Sequence, residues 1–253
     1  MSEATFIGID LAWRGGEKQS GVAVLQGDRQ RARLVDTALI HCGVLPGYVD
    51  RYTTKSTVVA IDGPLVICNQ NGQRRCETLL GRAYGARDAS CHSSNLSLYP
   101  NAASVRLESQ MESRGFKHAP NVTRLDEEHV MLEVYPHVAL LELFRLPRVL
   151  KYKKGNITEK RRGQQDLQHL LKKLSAFSPP LKSNSKLAQL LETDTNSLRG
   201  VTLKANEDKL DAVLCAYVAY HYWYWDGAST RLFGDVDSGY IIVPRLPQGS
   251  WRD

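Results

Sequence analysis

Five acidic residues stand where the sequence turns from apolar to polar. Asp10 follows the β-rich run Thr5-Phe6-Ile7-Gly8-Ile9, and Asp62 follows Thr57-Val58-Val59-Ala60-Ile61. Glu133 lies within Met131-Leu132-Glu133-Val134-Tyr135, while Asp208 and Asp211 open a helical stretch, three residues apart and so on one face of it. Carboxylates that converge on one point cannot all stay ionised without a cation. Hard oxygen donors of this kind suit Mg²⁺ or Mn²⁺, and two such ions roughly 4 Å apart activate water and stabilise the leaving oxygen in phosphodiester cleavage. Structural roles compete for some of the five. Asp208 also complements a helix dipole, and Asp62 before Gly63-Pro64 also suits a turn. Asp10 is harder to explain that way, because an acid closing an apolar strand is costly to bury without a partner.

Other chemistries find little support. Bulky Leu11 and Trp13 follow Asp10 where a phosphate loop needs close backbone approach, which argues against ATP phosphotransfer. No Gly-x-Ser-x-Gly turn occurs, and none of the five cysteines sits in a nucleophile signature. Cys68, Cys76, Cys91 and His92 are spaced like no familiar zinc site.

The elements that must position the acids read as a mixed α/β sheet. Three strands joined by short turns, near 5–9, 21–25 and 32–41, predict an antiparallel meander, with one turn at Arg14–Gln19. A helix near Pro46–Tyr52 leads to a buried strand at Thr57–Ile61, and a right-handed crossover sets this strand parallel to the first, with Asp10 and Asp62 on one rim. Residues 65–130 read as a helical insertion, with helices near Gln73–Tyr84 and Ala103–Ser113 around a loop at Ser90–Ala102 and no clean strand pattern. After the strand at Met131–Tyr135, Pro136 starts a helix reaching Phe144; helices near Glu159–Leu174 and Lys186–Glu192 follow. Asn206 reads as the N-cap of a long helix that runs into the aromatic stretch Tyr220–Trp225, and Gly239–Val243 forms a last strand before a polar tail.

In order along the chain, Gly8-Ile9-Asp10-Leu11-Ala12-Trp13, Ile61-Asp62-Gly63-Pro64-Leu65, Arg74-Arg75-Cys76, Glu133-Val134-Tyr135-Pro136, Tyr152-Lys153 and Asp211-Ala212-Val213 resemble the predicted RNase H-like nuclease family known as domain of unknown function 429. The resemblance runs from residue 6 to about 243 and implies one RNase H-like domain over 1–253. It implies a metal-dependent nuclease in which Asp10, Asp62 and Asp211 bind metal with Glu133 and Asp208 assisting. Asp10, Asp62, Glu133 and Asp211 form the catalytic set, and Arg74, Arg75, Lys151, Lys153 and Lys154 meet phosphates. A binding module that kept the fold without turnover is the alternative.

Charge distribution agrees with an anionic partner. The chain of 253 residues carries a net +6, yet residues 145–173 hold ten basic residues against Glu159 and Asp166, so this segment supplies the whole excess. Composition is that of a globular protein, with 42% hydrophobic and 24% charged residues. No membrane span or signal segment is visible, and the five scattered cysteines suggest a reduced, cytoplasmic protein. Nucleic acid is the expected partner; the oligomeric state, a homodimer included, is left open.

Overall fold

A computed structural model describes residues 3–13, 18–122 and 125–247, so most of the expected turn at Arg14–Gln19 and the end of the polar tail lie outside the described residues. Strands β1 (Ala4–Asp10), β2 (Gln19–Gly27) and β3 (Ala32–His41) form the antiparallel meander. Helix α1 (Leu45–Asp50) then leads to β4 (Thr57–Asp62), which pairs in parallel with β1. Helices α2 (Arg75–Tyr84) and α3 (Ala103–Glu112) precede the two-residue strand β5 (Lys117–His118) and β6 (His129–Glu133). The seven-stranded sheet has the order β5-β6-β4-β1-β2-β3-β7, with β7 at Leu181–Lys182. Two members, β5 and β7, carry no periodic signal because two residues cannot alternate, and β5 brings part of the 65–130 stretch into the sheet edge.

The second half supplies α4 (Pro136–Leu143), α5 (Ile157–Lys173), α6 (Ser185–Leu191) and the 25-residue α7 (Gly200–Tyr224). Asn156 and Glu159 cap α5 reciprocally, each side chain accepting from the other's backbone N–H. The expected start of α7 at Asn206 is corrected: the helix begins six residues earlier, where Thr202 Oγ1 accepts from Arg199 N at 3.0 Å. Asn206 lies inside the helix, and its side-chain amide donates to Gln164 Oε1 at 2.8 Å. An unforeseen strand β8 (Thr230–Asp235) pairs antiparallel with β9 (Gly239–Pro244) in a separate ribbon packed on α2.

Strand alternation divides the core. Phe6, Ala60 and Leu132 face α7 in one cluster, whereas Ile7, Ile9, Ile61 and Met131 face α1 and α3 in another. The aromatic end of α7 is buried in the first, with Tyr220 and Trp223 against Phe6. Gly8 allows α7 to lie directly on β1, since a Cβ there would stand 2.0 Å from the Ala212 carbonyl oxygen. Among the described residues no helix is long and apolar enough to cross a membrane.

Candidate metal centre

Asp10 and Asp62 are register partners at the last positions of adjacent parallel strands. Asp10 shares its parity with Phe6 and Gly8, and Asp62 shares its parity with Val58 and Ala60, so both carboxylates belong to the α7 face. Gly8 seats the Ala212 backbone of α7 against the same strand, which carries Asp211 to these ends. Asp208 lies one turn earlier.

Burial, then the neighbouring charges of Asp211, Asp62 and Asp208, hold the Asp10 carboxyl well above the carboxylate range, with Lys153 pulling in the opposite direction. Asp62 is pushed up to about 7, chiefly by burial, with Asp211 adding to the effect and Lys153 again opposing it. The four aspartates thus lie within electrostatic reach of one another. Asp10 and Asp62 line a cavity of about 760 Å³, together with Glu133, Lys151, Lys153 and Lys154 among others.

The dipeptide Tyr152-Lys153 grips the fully buried Asp211. Tyr152 Oη donates to Asp211 Oδ1 at 2.7 Å, and Lys153 Nζ stands 2.7 Å from Oδ2 and 3.9 Å from Asp62 Oδ2. The ammonium is misaligned for a hydrogen bond, so Oδ2 accepts none among the described residues. Burial disfavours the charged Lys153, but Asp211, Tyr152, Asp10 and Asp62 outweigh it and hold the ammonium above its usual range. Gly163 of α5 sets the height of this loop, because a Cβ there would stand 2.1 Å from the Lys151 carbonyl oxygen. His137 is 5.2 Å from the Tyr152 ring, and burial followed by the charge of Lys153 lowers it to about 4, so it is a neutral imidazole on the cavity wall.

Glu133 is placed differently from the expectation that it would join the aspartates. It pairs with Ile61 and takes that residue's parity, so it leaves the sheet on the face opposite α7. There Oε1 accepts from Arg74 Nη2 at 2.6 Å, and Oε2 accepts from Arg74 Nη1 and Leu65 N, each at 2.9 Å. Arg74, expected on phosphate, is buried and fully engaged: its Nε also donates to Glu77 Oε1, and Glu77 Oε2 accepts from Arg74 N and Ser94 N. Arg75 points away from the cavity lining, 73% exposed and 3.9 Å from Asp235. Asp208 Oδ1 is 2.5 Å from Lys204 Nζ, which also reaches Glu207.

The basic segment does not form one continuous face. Lys151, Lys153 and Lys154 line the cavity, whereas Arg161 donates to the Leu198 carbonyl and Arg148 pairs with Asp88. All five cysteines are free, with Cys76 in the core.

The family described as "Protein of unknown function (DUF429)" matches residues 8–238, a span that includes every acid and lysine of this cavity. The chain belongs to that family. No curated protein matches it.

A second group of potential ligands lies away from the cavity and has no counterpart among the expected site residues. Glu108 and Glu112, one turn apart on α3, and His118 on β5 bring ligand atoms within 4.8 Å of one another and could bind a metal ion. His118 Nε2 is 2.9 Å from Glu108 Oε1; its Nδ1 is 3.0 Å from Tyr240 Oη, which donates to the Met131 carbonyl. Two helical glutamates and a histidine six residues later follow no metal-site spacing legible in sequence. Among the described residues, no three of Asp10, Asp62, Asp208 and Asp211 bring ligand atoms this close together.

Proposed function

We propose that this protein is an RNase H-like, metal-dependent phosphodiesterase acting on nucleic acid. The observation that carries the reading is the electrostatic convergence of Asp10, Asp62 and Asp211, with Asp10 and Asp62 lining the cavity and Asp211 buried behind Lys153. This donor set fits a hard divalent cation: all are carboxylate oxygens, and burial raises Asp10 and Asp62 despite the opposing charge of Lys153. Asp10, Asp62 and Asp211 would hold Mg²⁺ or Mn²⁺, with Asp208 flanking. The bound cation supplies a lowered water pKa and a counter-charge for the leaving oxygen.

The chain's own groups do the positioning. Tyr152 orients Asp211 through its Oδ1, and Trp13 Nε1 donates to the Asp62 carbonyl at 2.9 Å, holding the end of β4. Exposed Lys151 and Lys154 meet backbone phosphates at the cavity mouth. Glu133 and Arg74 fix the base of the wall through Leu65.

A metal-independent binding module is the second reading, favoured by the Lys153–Asp211 ion pair, which already neutralises part of the acid cluster. Cleavage of labelled single-stranded, duplex, hybrid and branched substrates with Mg²⁺ or Mn²⁺, beside Asp10→Asn, separates the two. Cation-dependent cutting by the parent, lost by about 100-fold or more in Asp10→Asn, is expected. Salt-dependent binding that ignores Mg²⁺, with no cutting, would establish the binding module instead.

A further inference from the structure

We infer that Lys153 takes the place of a second cation, so that the carboxylate site holds one divalent ion beside a lysine ammonium; the inference rests on the metal-dependent reading above.

The other buried and half-buried acids near the cavity each have a counter-charge. Glu133 and Glu77 are occupied by the Arg74 guanidinium and by backbone amides. Glu207 and Asp208 share Lys204. Asp10, Asp62 and Asp211 remain, and the cation inside their cluster is Lys153, 2.7 Å from Asp211 and 3.9 Å from Asp62. Three carboxylates and one ammonium leave two net negative charges, which one divalent ion neutralises. A second such ion would need a bridging acid, yet Glu133 leaves the opposite face of the sheet with both oxygens satisfied.

Lys153 is not a surface lysine that happens to reach inward. Gly163 lets α5 press on the loop at Lys151 and Tyr152, and Tyr152 anchors that loop to Asp211 Oδ1, so the lysine starts from a fixed point. Its neighbours Lys151 and Lys154 line the same cavity but are exposed and make no ion pair with the aspartates among the described residues. They face arriving phosphate, while Lys153 faces the acids.

The test is Mn²⁺ stoichiometry by calorimetry, with electron paramagnetic resonance of the loaded protein, on the parent, Lys153→Met and Lys153→Arg, each checked for folding by circular dichroism. One ion per chain that is lost in Asp10→Asn, in the parent and in Lys153→Arg, and two in Lys153→Met with the spin-coupled signal of a close pair, is expected; an ion at Glu108, Glu112 and His118 would survive Asp10→Asn and is counted apart. The first ion should also tighten by about tenfold in Lys153→Met. Two ions in the parent that are both lost in Asp10→Asn, with the spin-coupled signal of a close pair, would overturn the inference while leaving the metal-dependent reading intact. Unchanged stoichiometry and affinity in a folded Lys153→Met would do the same. No Mn²⁺ binding at the aspartates, shown by an Asp10→Asn variant that behaves like the parent, would overturn both.

Discussion

Glu133, which lines the cavity, and Asp211, which lies behind Lys153, are both buried acids, but they are held in opposite ways. Glu133 receives three hydrogen bonds from a guanidinium and a backbone amide, so each oxygen has a partner in good geometry. Asp211 receives one, from a phenol, and its other oxygen faces an ammonium on a flexible stem. A fully satisfied carboxylate is a tie between elements. A carboxylate with an oxygen in reserve can accept a ligand, and the contrast separates the architecture of the cavity from its chemistry. Their positions keep them apart: Glu133 leaves the sheet on the face opposite α7, whereas Asp211 is carried by α7 itself.

The largest effect should come from breaking the tie. Arg74→Ala strands Glu133 and Glu77 without their cation, which costs about 3–5 kcal/mol. At roughly 2–4 °C per kcal/mol for a chain of this size, Tm should fall by about 10 °C in a thermal melt. A change below about 3 °C would show that Glu133 is not held as the geometry indicates.

A smaller effect sharpens the other side. The Asp62 pKa is raised to about 7 in the folded chain, against roughly 4 when unfolded. Between those values the folded chain keeps a proton that the unfolded chain has lost, so the contribution of Asp62 to metal-free stability is fully present below about pH 4 and is lost as pH rises through about 7. Unfolding free energies from denaturant titrations in EDTA should therefore drop between pH 5 and pH 8 by about 1–3 kcal/mol more in the parent than in Asp62→Asn. Equal slopes would mean that Asp62 is not the group responsible.

The smallest effect concerns the mouth of the cavity. Lys151→Ala and Lys154→Ala should each weaken nucleic-acid binding a few-fold and reduce the slope of log affinity against log salt by about 1. Arg75→Ala, outside the lining, should leave that slope unchanged.

Much of this arrangement was legible in sequence because it depends on periodicity. β1 to β4, β6 and most of α7 follow apolar patterns, and the placement of Asp10 and Asp62 follows from parallel strands ending together. Glu133 was misplaced because parity depends on register: its partner is Ile61 rather than Asp62, and one residue of offset moves a side chain to the other face. The resemblance implies a phosphate contact for Arg74, and a buried arginine and an exposed one read alike until their acid partners are known. The strand β8 escaped notice because Thr230-Arg231-Leu232-Phe233-Gly234-Asp235 mixes charge and glycine, and only pairing with β9 makes it extended. Lys153 illustrates the deepest limit: a loop lysine's reach into an acid cluster is set by Gly163 on α5, which no local pattern reports.

The contact between Gly8 and α7 also has a meaning in time. Asp10 and Asp62 leave the ribosome early, but Asp211 arrives about 150 residues later, on a helix that can dock only when the backbone of Ala212 reaches Gly8. At synthesis rates of roughly 5–20 residues per second, the growing chain spends many seconds with two of its three aspartates in place and the third not yet made. A nascent or truncated chain therefore carries an incomplete acid cluster, and completion of the site is tied to the folding of the long C-terminal helix.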